Sequence, residues 1–134
     1  MKTLLLDSSV YISSLSKKDI FHRETKEFTS LLKDEEIEII SPILVVLEVA
    51  NILQKSAIRI LSLFEESLVV DLNWNFGKQI IPFFKKVNLK TSDAIIVAVA
   101  KIYKAQLISW DKKLIRESKK LVQAYTPQEY LKKE

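Results

Sequence analysis

Two kinds of hydrophobic pattern alternate along the chain. Residues 4–6, 37–40, 68–70, 107–109 and 122–125 are short apolar or β-branched runs, the length of buried strands. Between them lie longer stretches whose apolar residues recur three and four positions apart, as on one face of a helix. Strand and helix in alternation predict an α/β domain built on a mostly parallel sheet. Local signals sharpen two helix starts. Ser41-Pro42 reads as N-cap and first helical residue before ILVVLEVANILQK, and Thr126-Pro127-Gln128-Glu129 combines an N1 proline with a capping box. The stretch 74–87 has a helical pattern but contains Gly77 and Pro82, which predicts a kink or two short helices. No internal repeat, low-complexity linker or composition shift divides the chain, so residues 1–134 are read as one domain.

Composition narrows the chemistry. A chain of 134 residues that is 48% hydrophobic is large enough to bury about two-thirds of its unfolded surface in one core. The absence of cysteine excludes disulfides, zinc–thiolate sites and thiol catalysis, and suits a reducing cytoplasm. With Gly77 as the sole glycine, there is no glycine-rich phosphate loop. Asp7 cuts the first apolar run short of a signal peptide, and the longest other apolar run stops at Glu48, well below the roughly 20 residues of a membrane span. A soluble, cytoplasmic protein is the expectation. The net charge of +4 is uneven, because residues 1–67 carry 8 Lys/Arg against 11 Asp/Glu and residues 68–134 carry 13 against 6. The basic second half suits a polyanionic partner, though lysines also serve simply to solvate helix faces.

Four acids stand where apolar residues belong. Asp7 ends the run LLL, and a carboxylate at the last pleat of a buried strand must be solvated, paired or given a cation. Asp111 ends LISW and is followed by a helical pattern, repeating the frame of Asp7; by itself it reads as an N-cap. Asp93 opens the helix of AIIVAVAKIYK, where a first-turn acid also interacts favourably with the helix dipole. Glu48 interrupts ILVVLEVANIL with Leu44, Val45, Asn51 and Ile52 as its helical neighbours, a half-buried setting that demands compensation.

Each has an ordinary structural reading alone, but topology joins them. In a parallel α/β sheet the carboxyl ends of strands and the amino ends of helices gather along one edge, where such folds place their sites. Asp7, Asp93 and Asp111 fall on that edge, within reach of Glu48 in the first or second turn of its helix. Four carboxylates together would repel and take up protons. One or two Mg²⁺ or Mn²⁺ ions would hold them ionised and leave positions for water and phosphate.

In this arrangement the chain resembles the PIN-domain ribonucleases, in particular the VapC-like toxins of prokaryotic toxin–antitoxin pairs. The resemblance runs through LLLDSSVYI, PILVVLEVANIL and LKTSDAIIVAVAKIYKAQLISWDKKL, nearly the whole chain. It implies a three-layer α/β/α sandwich around a mostly parallel sheet of four to five strands, and metal-dependent endonucleolytic cleavage of RNA. Asp7, Glu48 and Asp93 would be metal ligands, with Asp111 a fourth acid often acting through water. Ser109, and Ser8 or Ser9, would support the acids by hydrogen bonds. The chain departs from the family in lacking an obvious arginine close to the acids; Lys90 and Lys112, near them in sequence, are the candidates to contact phosphate. A small antitoxin and a homodimeric state are the implied partners. Segments 58–64 and 80–84 offer apolar surface for such contacts, although core packing accounts for most of it.

Rival readings use the same residues. A PIN-like module could bind RNA or a protein without cutting, but it would have no use for four acids in one pocket. An aspartate-nucleophile phosphatase would want a second Asp where Ser9 stands, and a receiver-like domain would want a phosphorylatable Asp at the middle strand, where Asp71 is poorly placed. His22, the sole histidine, reads as a surface residue, since one histidine does not supply an acid–base pair. Strand alternation points Trp110 inward.

Overall fold

The computed structural model describes residues 1–33 and 36–133. Its elements follow the alternation of the sequence: β1 (Lys2–Leu6), α1 (Ser8–Leu15), α2 (His22–Leu32), β2 (Ile37–Pro42), α3 (Ile43–Leu53), α4 (Ala57–Leu63), β3 (Leu68–Val70), α5 (Trp74–Ile80), a 3₁₀ segment (Ile81–Lys85), α6 (Thr91–Ile102), β4 (Gln106–Ile108), α7 (Lys112–Ser118), β5 (Ala124–Tyr125) and α8 (Pro127–Lys133). All five strands join one parallel sheet in the order β3-β2-β1-β4-β5. The chain therefore winds outward from β1 to β3, then crosses to the other side of β1. The reversal lies between β1 and β4, and such a switch point opens a crevice at the carboxyl ends of the two strands.

The pleat sorts the side chains into two cores. Leu4, Leu6 and Ile108 pack with Val10, Phe28 and Tyr130 beneath α1, α2 and α8. Leu5, Ile40 and Leu107 point the other way, into the larger core of α3 to α7 with Val45, Val49, Ile96 and Val97. This makes the three-layer α/β/α sandwich. α6 explains its own position: Ala94 and the unbroken run Ile96–Ala100 are all buried, so this helix is covered on nearly every side.

Three local expectations are refined. Ser41 does not cap α3. It remains in β2, fully buried and paired with Val69, and its hydroxyl is bonded to that of Tyr11 at 3.1 Å. Pairing with β3 extends the strand through Pro42, which takes the cap position without a side-chain acceptor. The 74–87 stretch does divide, but at Ile81-Pro82, with Gly77 inside α5. Segments 58–64 and 80–84 split by helical phase: Ile60, Phe64 and Ile80 are buried, whereas Ile58, Leu61, Ile81 and Phe84 are exposed. The capping box before α8 forms as read, with Thr126 N–H donating to Glu129 Oε1 at 2.9 Å and Glu129 N–H to Thr126 Oγ1 at 3.1 Å.

No helix among the described residues is long and apolar enough to cross a membrane.

Candidate active site

The site is built around Asp7, the residue after β1 at the switch point. Its backbone N–H still donates to Ile108 O at 2.9 Å, continuing the β1–β4 ladder by one step. The residue is 6% exposed and holds the N-cap position of α1, yet its carboxylate caps nothing. Oδ2 instead accepts two hydroxyls, Ser9 Oγ at 3.0 Å and Ser109 Oγ at 2.8 Å. Each serine is oriented by an acceptor role of its own. Trp110 N–H donates to Ser9 Oγ and Asp111 N–H to Ser109 Oγ, both at 3.0 Å. With a backbone N–H directed at each oxygen, each hydroxyl proton is turned towards Asp7. The two consecutive amides after β4 thus fix the carboxylate after β1, and Oδ1 takes no part in that network. No side-chain bond from Ser8 joins it among the described residues.

Glu48 lies in the second turn of α3 and Asp93 in the first turn of α6, and both are half-buried. Burial pushes the Glu48 carboxyl above the ordinary glutamate value, the negative charges of Asp7 and Asp93 push it further, and Lys90 acts in the opposite sense. Asp93 is also raised by burial; Lys90 pulls it down, Asp7 and Asp111 push it up, and Lys113 pulls it down. Asp7, Glu48 and Asp93 therefore sense one another, and Asp111 is coupled to the set through Asp93. One oxygen of Glu48, Oε1, is buried with no hydrogen-bond partner. Such an orphaned acceptor costs about 1–3 kcal/mol unless something occupies it.

Asp111 is exposed and caps α7, its Oδ1 accepting Lys113 N–H at 3.0 Å and Leu114 N–H at 3.1 Å. Two cations act on Asp93, Lys90 more strongly and Lys113 less; Lys112, read from the sequence as a phosphate contact, lines an adjacent concavity. Lys90 acts on both Glu48 and Asp93. The segment preceding it is tied to α7 through Glu117, whose Oε1 accepts Asn88 N–H and Lys120 Nζ, each at 2.7 Å. His22 is not a plain surface residue: half-buried, it donates from Nδ1 to Ser13 O at 2.8 Å and ties α2 to α1. Trp110 is half-buried, stacked on Phe21.

The donor set at this edge is entirely oxygen, which suits a hard divalent cation such as Mg²⁺ or Mn²⁺. The orphaned Glu48 Oε1 fits such an ion. The acids are electrostatically coupled without being drawn into a tight shell: among the described residues, no three His, Cys, Asp or Glu side chains form a group that would hold an ion as they stand.

The PIN domain family model matches residues 4–120, from β1 through α7. The chain belongs to the PIN domain family. Solved structures share the PIN fold over almost its full length. A chain of a toxin–antitoxin complex from Klebsiella pneumoniae is 20% identical, with a TM-score of 0.71 over 92% of this chain and 97% of that one. A chain of VapBC-1 from Haemophilus influenzae is 14% identical, with a TM-score of 0.70 over 93% and 98%. VapC20 of Mycobacterium tuberculosis, a toxin that cleaves the sarcin–ricin loop, is 13% identical, with a TM-score of 0.68 over 84% and 93%. Among curated proteins, no sequence relative matches the chain.

Proposed function

We infer that this PIN domain is a divalent-cation-dependent endoribonuclease and the toxin of a toxin–antitoxin pair. The observation that carries the reading is the coupled set of acids at the switch point, with one Glu48 oxygen buried and unpartnered. Asp7, Glu48 and Asp93 would hold Mg²⁺ or Mn²⁺, and Asp111, whose Oδ1 is engaged by the α7 cap, would act through its other oxygen and water. When bound, the ion supplies Lewis-acid stabilisation of charge on the phosphoryl oxygens and lowers the pKa of water. The chain does the positioning. Ser9 and Ser109 lock one oxygen of Asp7 and so aim the other, while Lys90 and Lys113 offset the acids' mutual repulsion and attract the phosphodiester.

A toxin of this kind needs an inhibitor, and several similar folds were solved in VapBC or other toxin–antitoxin complexes. A small antitoxin and a homodimer are therefore part of the reading, and the exposed apolar residues of α4 and the 3₁₀ segment are suitable surfaces.

The decisive experiment compares wild type with Asp93→Asn on labelled total RNA in Mg²⁺, Mn²⁺ and chelator. Cleavage requiring both the metal and Asp93 is the expected result. If wild type binds the ions yet leaves the RNA intact, the nuclease reading is wrong and a non-catalytic PIN module takes its place.

A further inference from the structure

The concavity beside the acidic edge is cationic. A cavity of ≈ 480 Å³ lies between α7 and the start of α8, within the usual range of small-ligand sites. One wall follows from helical spacing. Lys112, Arg116 and Lys119 stand four and three residues apart along α7 and its C-terminal boundary, so they share a face, and all three are exposed. The acid lining the groove, Glu129 of α8, already accepts Thr126 N–H in the capping box. Three cations therefore face one partly committed carboxylate.

The opposite wall is aromatic and held in place. Phe21 and Trp110 stack with centroids 4.0 Å apart and planes 5° from parallel. Trp110 Nε1–H donates to Thr25 Oγ1 at 2.8 Å, and its backbone N–H donates to the same Ser9 hydroxyl that binds Asp7. Both rings also line a second concavity, of ≈ 330 Å³, whose lining includes Ser9 and Asp111. The stacked pair is thus a partition between the cationic groove and the acidic edge, tied to the latter through one serine.

Cations repeated along one face, beside ordered aromatic rings, are the combination that holds single strands: charge on the backbone and bases against π-faces. A free anion would have no use for the aromatic wall, and the cavity is on the scale of nucleotides rather than of a duplex. We propose that this groove seats the single-stranded RNA segment flanking the scissile bond, with phosphates on Lys112, Arg116 and Lys119 and a base against the Phe21–Trp110 wall. The proposal rests on the ribonuclease reading for the identity of its ligand.

Binding separates the two ideas because it is measured in chelator, without cleavage. A short fluorescent oligouridine is titrated into wild type, into Lys112→Gln/Arg116→Gln/Lys119→Gln, and into Lys101→Gln/Lys104→Gln at the far end of α6, with salt varied and folding checked by thermal melts. The groove variant should bind at least tenfold more weakly at low salt, with a slope of log affinity against log salt shallower by about 2 for three lost phosphate contacts. The far-end variant should stay within twofold of wild type. In a Trp74→Phe background, RNA should change the emission of Trp110. Wild-type affinity in the groove variant, or an equal loss in the far-end variant, overturns the groove even if metal-dependent cleavage persists. Binding through the groove by a protein that cuts no RNA supports the groove and overturns the nuclease reading instead.

Discussion

Asp7 and Asp111 occupy the same local frame and meet different fates. Each follows an apolar strand, precedes a helix and takes the N-cap position with extended backbone, φ −69° and ψ 161° for Asp7, φ −78° and ψ 108° for Asp111. Asp111 is exposed and spends one oxygen on two amides of its own helix. Asp7 is buried, leaves α1 without a side-chain cap and is held by hydroxyls from α1 and from beyond β4. The difference is positional. β1 is central, so its end is enclosed by neighbouring strands, whereas the carboxylate of Asp111 reaches solvent. An acid that forgoes the cap beside it, at an N-cap benefit of about 1 kcal/mol, is held for another purpose.

The comparison breaks most sharply at Asp7. Asp7→Asn should lower metal-dependent RNA cleavage by more than about 100-fold, beyond the usual cost of removing a residue that merely supports a ligand. Its thermal midpoint in chelator should equal or exceed that of wild type, because asparagine still accepts the two serine hydroxyls and the charge facing Glu48 is gone. Ser109→Ala comes next. It removes a donor to Asp7 and the acceptor of Asp111 N–H, and should cost about 10–100-fold in cleavage and about 1–3 kcal/mol in urea unfolding. Ser8→Ala, outside the network, should stay within twofold in rate. Equal losses at Ser8 and Ser109 would mean that the hydroxyl network does not orient Asp7.

How far these roles were readable depended on what fixes each residue. Glu48 was visible because a charge in an apolar helical run has few innocent explanations, and the strands were visible because their runs are short and bounded. The choice of Ser9 over Ser8 was not, since the amide that orients the Ser9 hydroxyl is Trp110 N–H, 101 residues away in sequence. Ser41 looked like a cap because pairing with Val69 is a tertiary event that local signals do not encode. Lys112 and Lys113 differ by one helical step of about 100°, and the sequence does not say that Lys113 is the one acting on Asp93 while Lys112 lines the neighbouring concavity. Pro82 rather than Gly77 breaks the helix because proline removes a backbone donor, whereas glycine costs only about 1 kcal/mol within a helix.

At Asp111 the expected effects are smaller and separable. Asp111→Ala removes the α7 cap and should destabilise by about 1 kcal/mol, whereas Asn caps as well as Asp and should cost only a few tenths. Urea unfolding distinguishes the two. If cleavage falls equally in both variants, the carboxylate charge is what matters; if only Ala is impaired, Asp111 serves α7 alone.

The smallest effect is a slope with pH, and it belongs to the buried side of the comparison. Glu48 and Asp93 are raised from ordinary values of 4.5 and 3.8. Above those values the native chain keeps protons that the unfolded chain has lost, so their contribution to stability falls as pH rises through the window up to the raised values. In chelator, the difference in thermal stability between wild type and Glu48→Gln should therefore move against wild type with rising pH. A divalent ion favours the ionised form and should offset this, so that Mg²⁺ stabilises wild type more strongly as pH rises and stabilises Glu48→Gln less. If Mg²⁺ raised both midpoints equally at every pH, the orphaned oxygen of Glu48 would not be where the ion binds, and the case for a metal site would have to rest on Asp7 and Asp93 alone.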